Sequence, residues 1–188
     1  MKVMAFAASS STKSINKKLV TYAASLIDNC TVEILDINDY EMPLFSQDRE
    51  DELGKHELAH AFLAKIENAD AVIISFAEHN GSYTAAYKNL FDWCSRINPK
   101  VYQNKPMVLL STSPGAGGAS NVLNTAINSM PHFNGDVKGN FSLPKFYDNY
   151  DSQNNRVLNN ELALELQNVI KSLIPKSRHR NAFEIASN

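Results

Sequence analysis

Three short polar stretches hold most of the side chains in this chain that could do chemistry. The first is Ala8-Ser9-Ser10-Ser11-Thr12-Lys13-Ser14, with Asn16 close behind. Its hydroxyls, amide and ammonium suit an anion such as a phosphate if the loop opens a helix whose first N–H groups are free. The same residues also suit a serine-rich turn that caps a helix. The second stretch is Glu78-His79-Asn80-Gly81-Ser82-Tyr83. A polar turn whose glycine permits close backbone approach can hold the polar edge of a ligand, although Asn-Gly is a turn signal anywhere. The third is Ser111-Thr112-Ser113-Pro114-Gly115-Ala116-Gly117-Gly118. Its glycines permit close backbone approach, and it also reads as a flexible turn from strand to helix.

A fourth pattern competes with these. His56-Glu57-Leu58-Ala59-His60 matches H-E-x-x-H, the zinc-hydrolase arrangement of two histidines one helical turn apart with a glutamate base. Leu63 and Ile66 stand where the extended form of that pattern has glycine and histidine. A helical wheel puts both histidines beside the apolar stripe of Leu58, Phe62, Leu63 and Ile66, so they read as rim residues and a zinc hydrolase stays an alternative. There is no G-x-G-x-x-G and no G-x-x-x-x-G-K-[ST], the signatures of dinucleotide folds and P-loops.

The elements that must position these loops follow from periodicity. Apolar runs at residues 2–7, 31–37, 71–76, 106–111 and 136–143 read as five strands. Helices fall between them, marked by Ile15, Leu19, Ala23 and Leu26; by Leu58, Phe62, Leu63 and Ile66; by Tyr83, Tyr87, Leu90, Cys94 and Ile97; and by residues 120–130. A last helix carries Leu158, Leu162, Leu166, Val169 and Leu173. Residues 38–48 read as a connection that packs through Met42, Leu44 and Phe45, with acidic residues 48–52 preceding the next helix, and 146–155 as irregular. Strands alternating with helices predict an α/β fold, a doubly wound parallel sheet with helices on both faces. The flavodoxin-like order 2-1-3-4-5 puts the switch point between the first and third strands, so that loops 8–14 and 77–82 flank the crevice where such sheets bind ligands.

The totals set further bounds. A length of 188 residues suits one domain, taken as 1–175 with a tail at 176–188. A net charge of −2 gives no reason to expect nucleic acid or an anionic membrane as partner. No apolar run approaches a membrane span. Cys30 and Cys94 form no C-x-x-C, which fits a reducing compartment and a cytoplasmic protein.

The run Glu78-His79-Asn80-Gly81-Ser82, followed by Lys88-Asn89 and Asp92-Trp93, resembles the flavin-clamping segment of the NADPH-dependent FMN reductase family. There the pattern reads Pro-Glu-Tyr-Asn-Gly-Ser, then Leu-Lys-Asn, then Asp-Trp; here Ala77 replaces the proline and His79 the tyrosine. The first loop is similar to the family's Gly-Ser-x-Arg-x-x-Ser-x-Asn: Ser9, Ser14 and Asn16 match, Ala8 replaces the glycine and Ser11 the arginine. The third is similar to its Ser-Pro-Gly-Gly segment. The resemblance implies that Ser9, Ser11, Thr12, Lys13, Ser14, Ile15 and Asn16 hold the phosphate of FMN. It implies that Ala77, Glu78, His79, Asn80, Gly81 and Ser82 wrap the flavin edge, and that Ser113, Pro114 and Gly115 lie beside the ring.

By the same resemblance, NADPH or NADH reduces the flavin and a small-molecule acceptor (flavin, quinone, azo compound) reoxidises it. The hydride chemistry belongs to the flavin, so no side chain is assigned a catalytic role. A homodimer or homotetramer is implied, with Tyr83, Tyr87 and Trp93 as candidates either for the subunit contact or, equally, for core packing. A flavodoxin-like electron carrier and a binding module without reductase activity are the other readings of the same loops. Lys13 can stand in for the missing arginine only as a point charge. Ser11→Arg is therefore expected to tighten FMN binding by about 10-fold in a fluorescence titration.

Overall fold

The computed structural model describes residues 1–174; the expected tail at 176–188 lies outside them. Strand β1 (Lys2–Ala8) lies second from one edge of a five-stranded sheet whose central strand is β3. It pairs in parallel with β2 (Thr31–Leu35) on one side and β3 (Ala71–Phe76) on the other, Phe6 facing Leu35 and Ile74. β4 (Lys105–Thr112) and β5 (Gly135–Leu143) complete a parallel sheet of order 2-1-3-4-5, as the sequence predicts. The strands are near-continuous apolar runs because both faces are covered.

Successive residues of each strand serve opposite faces. Met4, Phe6, Val72, Ile74, Met107 and Leu109 join one core, with α3 (Glu57–Asn68), α4 (Ala85–Ile97) and α5 (Ser120–Ser129) over it. Val3, Ala5, Ile73, Val108 and Leu110 join the other, under α1 (Ile15–Ser25) and α7 (Asn160–Lys171). In β5 the register shifts opposite Met107 and Val108. An inserted residue reverses side-chain parity, so Val137 faces the first core while Phe141 and Leu143 face the second. Gly139 then lies under α7, where a Cβ would stand 3.1 Å from Val169 Cγ1.

The chain leaves β1 toward one face, into α1, and leaves β3 toward the other, into α4. That divergence is the switch point, and it opens a crevice at the carboxyl ends of the two strands. Side-chain caps start the helices that border it. Ser14 Oγ accepts from Lys17 N at 3.2 Å and Thr84 Oγ1 from Tyr87 N at 3.2 Å.

Two stretches are more regular than their sequence suggests. Within 38–52 a 3-10 turn (Ile37–Tyr40) forms on an Asp36 cap, and α2 (Gln47–Leu53) forms on a Ser46 cap. Asp48 and Glu50 occupy the first turn of α2, at the positive end of its dipole. Within 146–155 a single helical turn, α6 (Phe146–Asn149), leads into a hairpin of β6 (Tyr150–Asp151) and β7 (Arg156–Val157). Phe146, Tyr150 and Val157 anchor it in the second core.

Lys17 in the first turn of α1 donates to Asp36 Oδ2 at 2.5 Å, tying α1 to the end of β2. That hydrogen bond, followed by one from Asn38 N–H, holds the Asp36 carboxyl below its ordinary 3.8. A depressed carboxyl pKa adds stability above the ordinary value, and the contribution fades as pH falls through the lowered one. Asp36→Asn should lower the thermal midpoint near neutrality. Its deficit against the unmodified protein should shrink once the pH passes below 3.8, checked by paired melts across that range.

Candidate functional site

The loop after β1 is organised by its own serines. Ser9 Oγ accepts from Ser11 N and Ser11 Oγ from Lys13 N, each at 3.3 Å, and Ser14 N donates to Ser11 O at 3.1 Å. The loop ends at the α1 N-terminus, whose first turn carries no acidic residue. Ser14 satisfies the N–H of Lys17; the earlier N–H groups are the orphan donors that any helix start presents. The helix-cap reading holds, and because a cap and an anion seat use different N–H groups the cap leaves the first N–H groups of α1 available.

Asn16 does something else. Only 2% exposed, its side chain donates to Thr112 O at 3.1 Å and accepts from Ser75 Oγ at 2.7 Å and Thr112 N at 3.1 Å. Its carboxamide, expected to face a phosphate, is used inside the fold, knotting α1 to β3 and β4.

The second loop is a tight turn. His79 N donates to Ser82 O at 3.0 Å and Ser82 N to His79 O at 3.1 Å. Asn80 and Gly81 both take positive φ, 52° and 76°, the conformation for which Asn-Gly is suited. Glu78 leaves the turn and reaches α5, where Oε2 accepts from Val122 N at 3.0 Å and Oε1 from Asn121 Nδ2 at 3.3 Å. Helix α5 starts at Ala119 without a side-chain cap of its own, so Glu78 neutralises that terminus and holds the loop. Thr84, buried just beyond, donates to Ala8 O at 3.0 Å and fastens the second loop to the first.

The third loop is fixed at Gly118, whose carbonyl accepts from Ser111 Oγ at 2.7 Å and Ser142 Oγ at 2.8 Å. With φ of 56° and a Cβ that would meet Ser142 Oγ at 2.3 Å, this position requires glycine. Ser113 O and Gly115 O accept from Phe146 N and Lys145 N at 3.0 and 2.9 Å.

These loops surround an open cleft of about 230 Å³. Of the predicted residues, Ser9, Ser11, Lys13, Ser14, Ile15 and Asn16 line one part of it, Ala77, Glu78 and His79 another, and Ser113 and Pro114 a third. Thr12, Asn80, Gly81, Ser82 and Gly115 stand outside this lining. Thr112 and Tyr147 line it without having been singled out from sequence.

The profile of the NADPH-dependent FMN reductases matches residues 1–148. The chain belongs to that family. The 2-hydroxy-1,4-benzoquinone reductase of a Burkholderia species is 36% identical over 109 residues, 57% of this chain and 57% of that protein. The NADPH:quinone oxidoreductase of Arabidopsis thaliana is 37% identical over 87 residues, 46% of this chain and 43% of the plant protein. The chain spans about half the length of the curated relatives it matches. Among solved structures, FerB, a flavoenzyme NAD(P)H:(acceptor) oxidoreductase from Paracoccus denitrificans, superposes with a TM-score of 0.72 at 25% identity, covering 92% of this chain and 94% of that one.

The family's Lys-Asn and Asp-Trp pairs have a structural reading here. Asn89 Oδ1 accepts from Phe45 N at 2.8 Å, Asn89 Nδ2 donates to Met42 O at 3.0 Å, and Trp93 Nε1 donates to Pro43 O at 2.8 Å. Both side chains pin the connection after β2. Trp93 and Tyr87 are 1% and 3% exposed, so of their two readings the structure favours core packing over a subunit contact, and Tyr87 shares a 2.6 Å hydroxyl contact with Tyr102. Burial pushes the Cys94 thiol up to about 12, leaving it packed and protonated. His56 is not within a helix with His60 but caps α3, its Nδ1 accepting from Leu58 N at 3.2 Å and its ring 5.8 Å from that of Trp93. The helical pair of ligands that H-E-x-x-H requires is therefore not formed.

Asn16→Ala removes three buried hydrogen bonds and leaves Thr112 N–H without its acceptor. It should destabilise the protein by about 3 kcal/mol in urea unfolding. Asn16→Asp should also destabilise, because a carboxylate cannot donate to Thr112 O.

Proposed function

We propose that this protein is an FMN-dependent NAD(P)H oxidoreductase that passes electrons from NADPH or NADH through bound FMN to a small acceptor such as a flavin, a quinone or an azo compound. The observation that carries the reading is the meeting of three motif-bearing loops in one cleft at the N-terminus of α1. The donor set fits the group. Ser9, Ser11, Lys13 and Ser14, with the first N–H groups of α1, suit a phosphate. The Ala77, Glu78 and His79 segment and the following turn suit the polar edge of the ring, and Ser113 and Pro114 provide a wall of backbone and ring carbon. Bound there, FMN supplies the two-electron chemistry.

The chain's own part is position and electrostatics. Asn16 and Thr84 prevent the loops from sliding past one another. Glu78 spends its charge on α5 and performs no proton transfer. The proposed protein works in a reducing compartment, the cytoplasm, in keeping with its two free cysteines. It is proposed to assemble as a homodimer or homotetramer, with the half-buried Tyr83 the remaining aromatic candidate for a contact.

Purified protein mixed with FMN should show a bound flavin band in the visible, and NADPH or NADH under anaerobic conditions should bleach it, with recovery on addition of a quinone. A protein that takes up no FMN overturns the reading. One that is yellow but cannot be bleached by either nicotinamide is an electron carrier instead.

A further inference from the structure

Tyr147 lines the cleft yet belongs to none of the three motif loops. Its side chain is 70% exposed, but its backbone is firmly placed. Lys145 N and Phe146 N are bonded to Gly115 O and Ser113 O, and Asn149 Nδ2 donates to Pro144 O at 2.9 Å. Phe146 is fully buried, stacks on Tyr150 at 4.7 Å and meets the Tyr147 ring edge-on at 5.5 Å. A large phenol is thus held out over the cleft by a rigid base, on the β5 side.

The same cleft is lined by the first loop, with Ser11 where the family has an arginine. Among the described residues Lys13 is the only lysine or arginine in the cleft lining, and it brings a point charge without a fork of donors. A phosphoryl dianion has three terminal oxygens, each able to accept more than one hydrogen bond, so a further donor can add to those of this loop. The cleft is small, about 230 Å³, and Tyr147 lines it together with the residues at the start of α1. A phenol hydroxyl donates well to an oxyanion and adds no charge to desolvate.

We propose that Tyr147 is a cofactor-binding residue whose hydroxyl donates to the phosphoryl group of a flavin mononucleotide seated on Ser9, Lys13, Ser14 and the first turn of α1. The inference rests on the FMN reading above and adds to it a contact from the far side of the sheet. Tyr147 thereby takes over part of the work of the absent arginine and helps the protein to tell FMN from riboflavin, which lacks the phosphate.

The test is equilibrium binding of FMN and of riboflavin, read by flavin fluorescence, to the unmodified protein and to Tyr147→Phe, with Tyr147→Ala as a second variant. Tyr147→Phe keeps the ring and its contact with Phe146. It should weaken FMN about 10-fold and leave riboflavin within about 2-fold, and Tyr147→Ala should weaken FMN at least as much. Unchanged FMN affinity in Tyr147→Phe overturns the proposal. So does an equal loss for both flavins, which would place the hydroxyl on the ring system and not the phosphate. Failure of the unmodified protein to bind either flavin overturns the FMN reading itself.

Discussion

The carboxyl end of the sheet depends on one carboxamide. Asn16 sits in the first turn of α1, yet its side chain turns inward and joins Ser75 of β3 to the backbone of Thr112 at the end of β4. A buried polar group costs free energy unless its partners are all present, and a fully satisfied one specifies a single arrangement. The three bonds therefore do more than add stability. They set where the N-terminus of α1 lies relative to the third loop, and so set the width of the cleft. Thr84 does the corresponding work for the second loop by capping α4 and donating to the last carbonyl of β1.

Around this knot the apolar layers are conventional. Each central strand divides its side chains between two cores, and the helices that cover them leave β1 and β3 in opposite directions. The polar residues of α4 that match the family pattern belong to this layer. Asn89 and Trp93 hold the backbone at Met42 and Pro43, so half of the pattern that resembles a flavin clamp is scaffold for the connection after β2. Tyr87, Tyr102 and Cys94 are buried deeply enough that their pKa values rise, and they remain protonated packing groups.

The strands were legible because fully covered strands are apolar runs, and the sheet order followed from handedness and the placing of two polar loops. Capping and turn chemistry at Ser14, Thr84, Asn80 and Gly81 is written in residue types. Direction is not. Asn16 has the right groups for a phosphate or for a strand end, and only the packed fold decides between them. Helix α2 buries no residue, so it leaves no apolar stripe to read. Tyr147 lies in a stretch without period, where one helical turn is held by bonds to a loop some thirty residues earlier. The extra residue in β5 has no compositional mark at all; it shows only in which core Val137 and Phe141 join.

Glu78 has an effect beyond holding its loop. Helices α1 and α5 both begin beside the cleft, and each start is a region of partial positive charge. The carboxylate of Glu78 cancels that charge at α5, while α1 has no acidic residue in its first turn. The cleft is left with a polarity: one end attracts anions and the other has been made neutral from within. For a long ligand with a phosphate at one extremity, this asymmetry would favour the sense of entry that brings the phosphate to α1, a bias set by the helix starts and not by contacts with a ring.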